Sequence, residues 1–266
     1  MERIRKAATA AAICCGFLIG AGGNALAGHP FVTEDAGTQG KGNVEVEFNL
    51  DLVHENDGTD TTYLGNNFTM GVAPKIDLAV GYAYGFSKAN DGTKTRGMAP
   101  VAATLKAALF EGKEYVPTLA AKGGVVLPTA EGDQTWLIAI GAAQWTFEPL
   151  TIFANVGADV GTHLAGNEET TTLLRASAAG SYEFRKEWYL LSELLWWKST
   201  SPSEPSTWIW MIGAKKEITE TFSVNAGIDW GLNNHSPRVA YLVGFTLGFR
   251  GEKPAPAAAS PAGEKQ

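Results

Sequence analysis

Cysteine is nearly absent from this chain. Its two thiols, Cys14 and Cys15, sit side by side in the first apolar stretch. A chain that loses this stretch keeps no thiol, which excludes disulfides, thiolate metal sites and cysteine catalysis. Long hydrophobic runs are also missing. After residue 27 no segment reaches the roughly 18 uninterrupted apolar residues that a spanning helix needs. Concentrated positive charge is a third absence. The net charge is −7 and no basic face can be drawn, so a nucleic-acid partner is not expected. No phosphate loop, dinucleotide fingerprint or HExxH occurs, and no cofactor is expected. The four histidines, His29, His54, His163 and His235, contain no short-spaced pair, so no metal site is expected either.

The N-terminus reads as an export signal. Arg3, Arg5 and Lys6 precede an uncharged apolar stretch from Ala7 to Gly23, and Ala25-Leu26-Ala27 supplies a small-x-small cleavage pattern. Residues 1–27 are the expected signal peptide, and Gly28 the first residue of the exported chain.

What the rest of the chain does have is alternation. In residues 43–53, Val44, Val46, Phe48, Leu50 and Leu52 alternate with Asn43, Glu45, Glu47, Asn49 and Asp51. Successive side chains of a strand point to opposite faces, so one face is apolar and the other acidic. The pattern recurs after each turn signal. Residues 76–86 put Ile76, Leu78, Val80, Tyr82, Tyr84 and Phe86 on one face, and residues 239–249 do the same with Val239, Tyr241, Val243, Phe245, Leu247 and Phe249. The repetition predicts an all-β chain: a transmembrane antiparallel up-and-down β-barrel of about 12 strands, with 10 or 14 as alternatives if one hairpin is split or merged. A fourth strand is expected from Met98 to Phe110 after a loop at Ser87–Gly97. In the sixth, residues 135–147, Trp136, Ile138 and Ile140 are expected to face lipid. Trp145 and Phe147 have the other parity, which calls for a bulge.

The charges give an internal check. With the apolar parity of each strand assigned to lipid, Glu45, Glu47, Asp51, Asp77, Lys106, Lys122, Asp159, Arg175, Glu183, Glu193, Lys215, Asp229 and Arg250 all fall on the inner face. A midplane charge facing lipid costs about 2–4 kcal/mol, so this segregation has a cause. These residues are the expected lumen-lining and selectivity set. The remaining inner positions read as Gly, Ala, Ser and Asn. Two readings of the charges stay open: a salt-bridge network filling a closed barrel, or a narrow aqueous path with mild preference for cations or neutral solutes. Polar loops alternate with shorter turns, and Trp136, Trp188, Trp196, Trp208, Trp210 and Trp230 fall near strand ends, as in aromatic girdles.

The expected layout is therefore a periplasmic N-terminal segment at 28–42, a candidate plug, a barrel at 43–250, and a disordered Pro/Ala-rich tail at 251–266. The segment His29-Pro30-Phe31-Val32-Thr33-Glu34-Asp35-Ala36-Gly37-Thr38-Gln39-Gly40-Lys41-Gly42, running into Val44-Glu45-Val46-Glu47, resembles the opening of the bacterial family named for the MetA pathway of phenol degradation. Lys122-Gly123-Gly124-Val125-Val126-Leu127-Pro128-Thr129 is similar to that family's mid-chain Leu-Pro-Thr stretch. The resemblance implies an outer-membrane barrel of transporter type, associated with aromatic compounds. It fits a Gram-negative outer-membrane channel passing small solutes, with lipids, lipopolysaccharide, the barrel-assembly machinery and a small-molecule solute as partners. Two alternatives are a non-conducting structural or surface-interaction barrel and a lipid-modifying enzyme. No histidine lies mid-strand beside a serine, so an enzyme is not expected.

Overall fold

The computed structural model describes residues 29–129, 134–162 and 171–251. The expected leader, His163 and the tail beyond residue 251 lie outside them. The strands are β1 (Val44–His54), β2 (Asp60–Ala73), β3 (Ile76–Lys88), β4 (Lys94–Met98), β5 (Val101–Phe110), β6 (Thr118–Leu127), β7 (Thr135–Phe147), β8 (Leu150–Thr162), β9 (Thr171–Arg185), β10 (Trp188–Ser199), β11 (Ser206–Thr219), β12 (Phe222–Gly231) and β13 (Val239–Phe249). All pairings are antiparallel, mostly between neighbours in sequence, and β1 pairs with both β2 and β13, so the sheet closes on itself. Closure leaves no long edge to aggregate.

Thirteen strands make twelve staves. β4 pairs with the end of β3 at Tyr84–Lys88, and β5 pairs with its start at Ile76–Gly81. The two occupy one stave, interrupted at Ala99-Pro100, where proline offers no amide to the ladder. The fourth strand therefore departs from its expected form. Much of the expected loop at Ser87–Gly97 is strand, and the turn shrinks to Ala89–Thr93, closed by hydrogen bonds between Ala89 N and Thr93 O and between Gly92 N and Ala89 O.

The alternation sorts the faces as the barrel reading demands. On β1, Glu47, Asn49, Asp51 and Val53 are buried while Phe48 and Leu52 are exposed. Outward side chains form cross-strand pairs: Phe48 stacks on Phe245 at 4.8 Å, and Trp210 lies 5.6 Å from Trp230. Such pairs are the unit of sheet stabilisation.

β7 corrects the expected orientation. Ile138, Ile140 and Ala142 are the buried positions, and Leu137, Ala139 and Gly141 are exposed. Trp136, Ile138 and Ile140 thus face the lumen, while Trp145 and Phe147 share the lipid-facing parity. The β7–β8 register runs unbroken from Thr135↔Thr162 to Phe147↔Leu150, so no bulge is present or needed. Register shifts occur instead at Gly71/Ala73, Ala108/Phe110, Trp188/Tyr189 and Glu217/Thr219, all at the barrel end that carries the short turns.

Candidate functional site in the barrel interior

The interior is built around residues 29–43, which lie inside the barrel. Just before β1 the chain bends back at Gly40 and Gly42, both with φ near +80°. It passes so close to the wall that a Cβ on Gly71 would fall 1.8 Å from the Gly40 carbonyl oxygen. Only glycine fits both the bend and the approach. Inward from this rim, residues 29–34 are all buried.

Charged and polar wall residues hold this segment. The Gln39 amide donates to both Asp77 oxygens at 3.1 and 2.9 Å. Lys106 Nζ meets Asp35 at 2.7 Å, and Lys122 Nζ meets Glu34 at 2.5 Å. Asn155 clamps Glu34 from both sides, accepting from its amide at 2.6 Å and donating to its carbonyl at 3.0 Å. The Glu193 carboxylate accepts from the amides of Val32 at 3.0 Å and Thr33 at 2.5 Å. His29 bridges Asp51 at 3.1 Å and Asn225 at 2.5 Å. Hydrogen bonds to ionised partners are the strong ones, the more so where the groups are buried. Each lost charged contact is worth roughly 1.5–3 kcal/mol.

The expected lumen set therefore divides. Asp51, Asp77, Lys106, Lys122 and Glu193 bind the N-terminal segment directly. Asp159 pairs with Arg175 at 3.5 Å across neighbouring strands. Glu45, Glu47 and Lys215 line a cavity of about 120 Å³ together with Asn67, Thr69 and Thr246. Asp229 is buried on β12. Glu183, at the short-turn rim, accepts from the Glu187 amide at 2.8 Å. Arg250 departs from the expectation: it stands just past β13, exposed, with Glu220 at 3.8 Å. The last inner-facing position of β13 is Gly248, and beyond Phe249 no ladder remains to aim a side chain inward.

The inner wall is not only small and polar. One apolar cluster joins Ala79, Ala102, Val126, Ile138 and Ile140, with Trp136 against it. A second joins Val32, Leu195, Trp197 and Ile209, with Leu173 against it. A third surrounds Phe31 with Val53, Leu191, Met211 and Leu242. Tyr63, Phe153 and Tyr189 add partly buried rings to the third cluster. At the long-loop end the segment Leu232–Arg238 folds over the wall. Ser236 is buried there, its hydroxyl donating to Trp208 O at 2.7 Å, while Asn56 donates to Ser236 O at 2.6 Å. Of the rim histidines, His54 pairs with Asp60 at 2.5 Å. The His235 backbone carbonyl accepts from the Thr207 hydroxyl. Among the described residues no group of three metal-ligating side chains converges.

The sequence marks residues 28–42 as a candidate plug but not the wall residues that hold it, because those partners lie far along the chain. The signal that could have found them is the pair Glu34-Asp35, placed ahead of a wall carrying Lys106 and Lys122. The apolar cluster around Ile138 and Ile140 was hidden by the parity of β7.

The fold is shared with known outer-membrane barrels. The COG4313 outer membrane channel from Pseudomonas putida F1 superposes with a TM-score of 0.59 at 12% identity, covering 78% of this chain and 94% of that one. The NanC porin gives 0.55 at 9% identity over 77% and 98%. The translocator domain of autotransporter NalP from Neisseria meningitidis gives 0.51 at 11% identity over 77% and 87%. No curated protein matches the chain in sequence. The family model described as "Putative MetA-pathway of phenol degradation" matches residues 27–249, nearly the whole barrel and its inner segment, and the chain belongs to that family.

Proposed function

We propose that the protein is an outer-membrane channel for small solutes, aromatic or hydrophobic ones included, whose passage is restricted by the N-terminal segment. The apolar clusters inside an otherwise charged wall carry this reading. Ile138, Ile140, Leu195, Trp197 and Ile209 give a solute with an apolar face something to contact, while the surrounding polar groups keep water present. Binding sites for small organic molecules are mostly apolar with a few placed polar groups. Family membership and the channels among the similar folds support the same reading. None of these relatives is named as an enzyme.

Residues 29–43 are the plug in this reading. Apolar packing of Phe31 and Val32, hydrogen bonds and ion pairs hold them to the wall, all without a covalent bond, so they can leave without a covalent change. The same tight docking favours a second reading, a barrel that conducts nothing. Two measurements separate them. Reconstituted protein should conduct in planar bilayers, with more current when the segment is deleted. A strain lacking the gene should take up aromatic compounds more slowly at low external concentration, and recover with the gene restored. Bilayers that stay sealed with the deleted protein would exclude the channel.

A further inference from the structure

On the outside of the barrel, one hairpin gathers positive charge. Lys88 ends β3, and Lys94 and Arg96 lie on β4; all three are exposed. None of these side chains forms an ion pair or a hydrogen bond among the described residues. The register sets them on one face: Lys88 stands directly opposite Lys94, and Arg96 opposite Phe86. Residues directly across a sheet share a face. On β3 that face is the outward one, because Asp77, Ala79, Gly81 and Ala83 are buried while Ile76, Leu78, Val80, Tyr82 and Phe86 are exposed. Like charges directly opposite destabilise a strand pair, so an anion between Lys88 and Lys94 would relieve them. The acids beside them turn to other groups. Asp60 stands opposite Lys88 on β2, but its Oδ1 is held by His54 Nδ1 at 2.5 Å. Asp91, in the hairpin turn, accepts from the Thr93 amide at 2.8 Å.

The height of these cations matches a lipid headgroup. From Ile76 to Phe86 every outward side chain of β3 is apolar or aromatic. Those ten steps, at about 3.3 Å each on a strand tilted by about 40°, rise roughly 25 Å along the membrane normal, which is the height of the apolar band of such barrels. Tyr84 and Phe86, with ring centroids 5.0 Å apart, close the band as interfacial aromatics do. Lys88 is the next outward position, about 5 Å further from the midplane. Lys94 and Arg96 fall in the stretch that the sequence suggests as loop, and their inclusion in β4 is what aims them at the membrane.

We propose that Lys88, Lys94 and Arg96 form a docking site for the phosphate groups of lipid A in the outer leaflet. Directly opposite residues have Cα atoms about 4.5–5.5 Å apart, so one phosphate reaches both lysines. Arg96, two positions along the same face, adds a planar fork that matches phosphate oxygens. The acyl chains then lie along the exposed Met98, Phe86 and Tyr82, toward the midplane. A free phosphate would meet the cations but gain nothing from this apolar face, so the surface fits a lipid. The inference rests on the outer-membrane reading behind the proposed function, with the long loops facing outward. Its test involves no conductance, so the two can fail separately.

The test uses protein purified from outer membranes, freed of lipid by detergent exchange, with rebinding counted by native mass spectrometry. The probes are lipid A with both phosphates, the same lipid A with both removed, and inorganic phosphate. The wild-type chain should bind phosphorylated lipid A at least about tenfold more tightly than the dephosphorylated lipid, a comparison that needs no variant. Equal affinities overturn the proposal. The combined substitution Lys88→Gln, Lys94→Gln and Arg96→Gln should weaken binding of the phosphorylated lipid at least about tenfold and leave the dephosphorylated lipid unaffected. An unchanged affinity for the phosphorylated lipid places its contacts elsewhere and overturns the proposal. Gel mobility without heating checks that the barrel is folded. If the combined variant does not fold, Lys94→Gln with Arg96→Gln takes its place and is held to the same comparison. Inorganic phosphate that displaces lipid A at millimolar concentration would reveal an anion site with no lipid preference, which also overturns it.

Discussion

At the scale of single residues, five wall charges, Asp51, Asp77, Lys106, Lys122 and Glu193, each hold a specific part of the N-terminal segment. Glu193 gathers two backbone amides of the segment, those of Val32 and Thr33. Glu193→Gln removes the charge and one of the two acceptor oxygens, which should weaken docking of residues 29–43 by about 1.5–3 kcal/mol. Limited proteolysis near residue 37 should then speed up roughly 10- to 100-fold, while the barrel stays resistant. Lys122 and Glu34 are both nearly inaccessible, at 3% and 1% side-chain exposure. Removing one partner leaves the other charged and buried, a loss of about 3–5 kcal/mol. Lys122→Met should therefore do more damage than Lys122→Met combined with Glu34→Gln, measured by urea unfolding in vesicles. Outside the membrane span, burial in the β1–β2 turn pushes the Glu55 carboxyl up to about 7, and Asp57 adds to the effect. The folded turn prefers the protonated acid, so its contribution is complete below the ordinary value near 4.5 and fades as pH rises to about 7. Exchange of the Gly58 amide, which donates to Glu55 O, should quicken across that window beyond the intrinsic pH effect, and Glu55→Gln should abolish the excess.

At the scale of elements, legibility followed the charges. β1, β3, β5, β6, β10 and β12 each carry an ionisable residue on one parity, and there the inner face could be read directly from the sequence. β7 carries none between Thr135 and Phe147. Its isoleucines looked like lipid contacts, and only pairing fixes them: Ile140 stands opposite Lys122, and Ile138 opposite Asp159. Neighbours directly across a sheet share a face, so the charged residues of β6 and β8 decide the orientation of β7. The split of one stave into β4 and β5 was illegible for a different reason. β4 is short and exposed throughout, so it has no buried parity to show in its pattern. A pair of substitutions tests the β7 assignment. Ala139→Lys would aim an ammonium at hydrocarbon, at a cost of up to about 2–4 kcal/mol near the midplane. Ile138→Lys, one residue away, would aim it into the lumen beside Asp159 and should cost clearly less. Refolding titrations into lipid vesicles compare the two directly; the opposite ranking would restore the parity that the sequence suggested.

At the scale of the whole molecule, the distribution of charge between wall and segment sets what an emptied lumen would pass. Wall lysines Lys106 and Lys122 are neutralised by Asp35 and Glu34 of the segment, while wall acids Asp77 and Glu193 spend themselves on its backbone amides. A segment that withdraws thus frees both signs at once. The acids stay in the majority. Glu45, Glu47, Asp51, Asp77, Asp159, Glu193 and Asp229 all remain on the wall, against Lys106, Lys122, Arg175 and Lys215. Charges facing a narrow water-filled path act through few intervening waters, and rings of carboxylates favour cations. Deleting residues 29–42 from the exported chain should therefore give a pore with cation-over-anion permeability above unity, read as a reversal potential in a salt gradient. Higher ionic strength should shrink the preference, because screening reaches groups that water reaches. Neutralising the acids nearest the short-turn rim, with Glu45→Gln and Asp77→Asn together, should move the reversal potential toward zero without lowering the current. An anion-selective deletion pore would show that the lysines, once released from Glu34 and Asp35, outweigh the acids, and the wall would have to be understood as a cationic path masked by its own N-terminus.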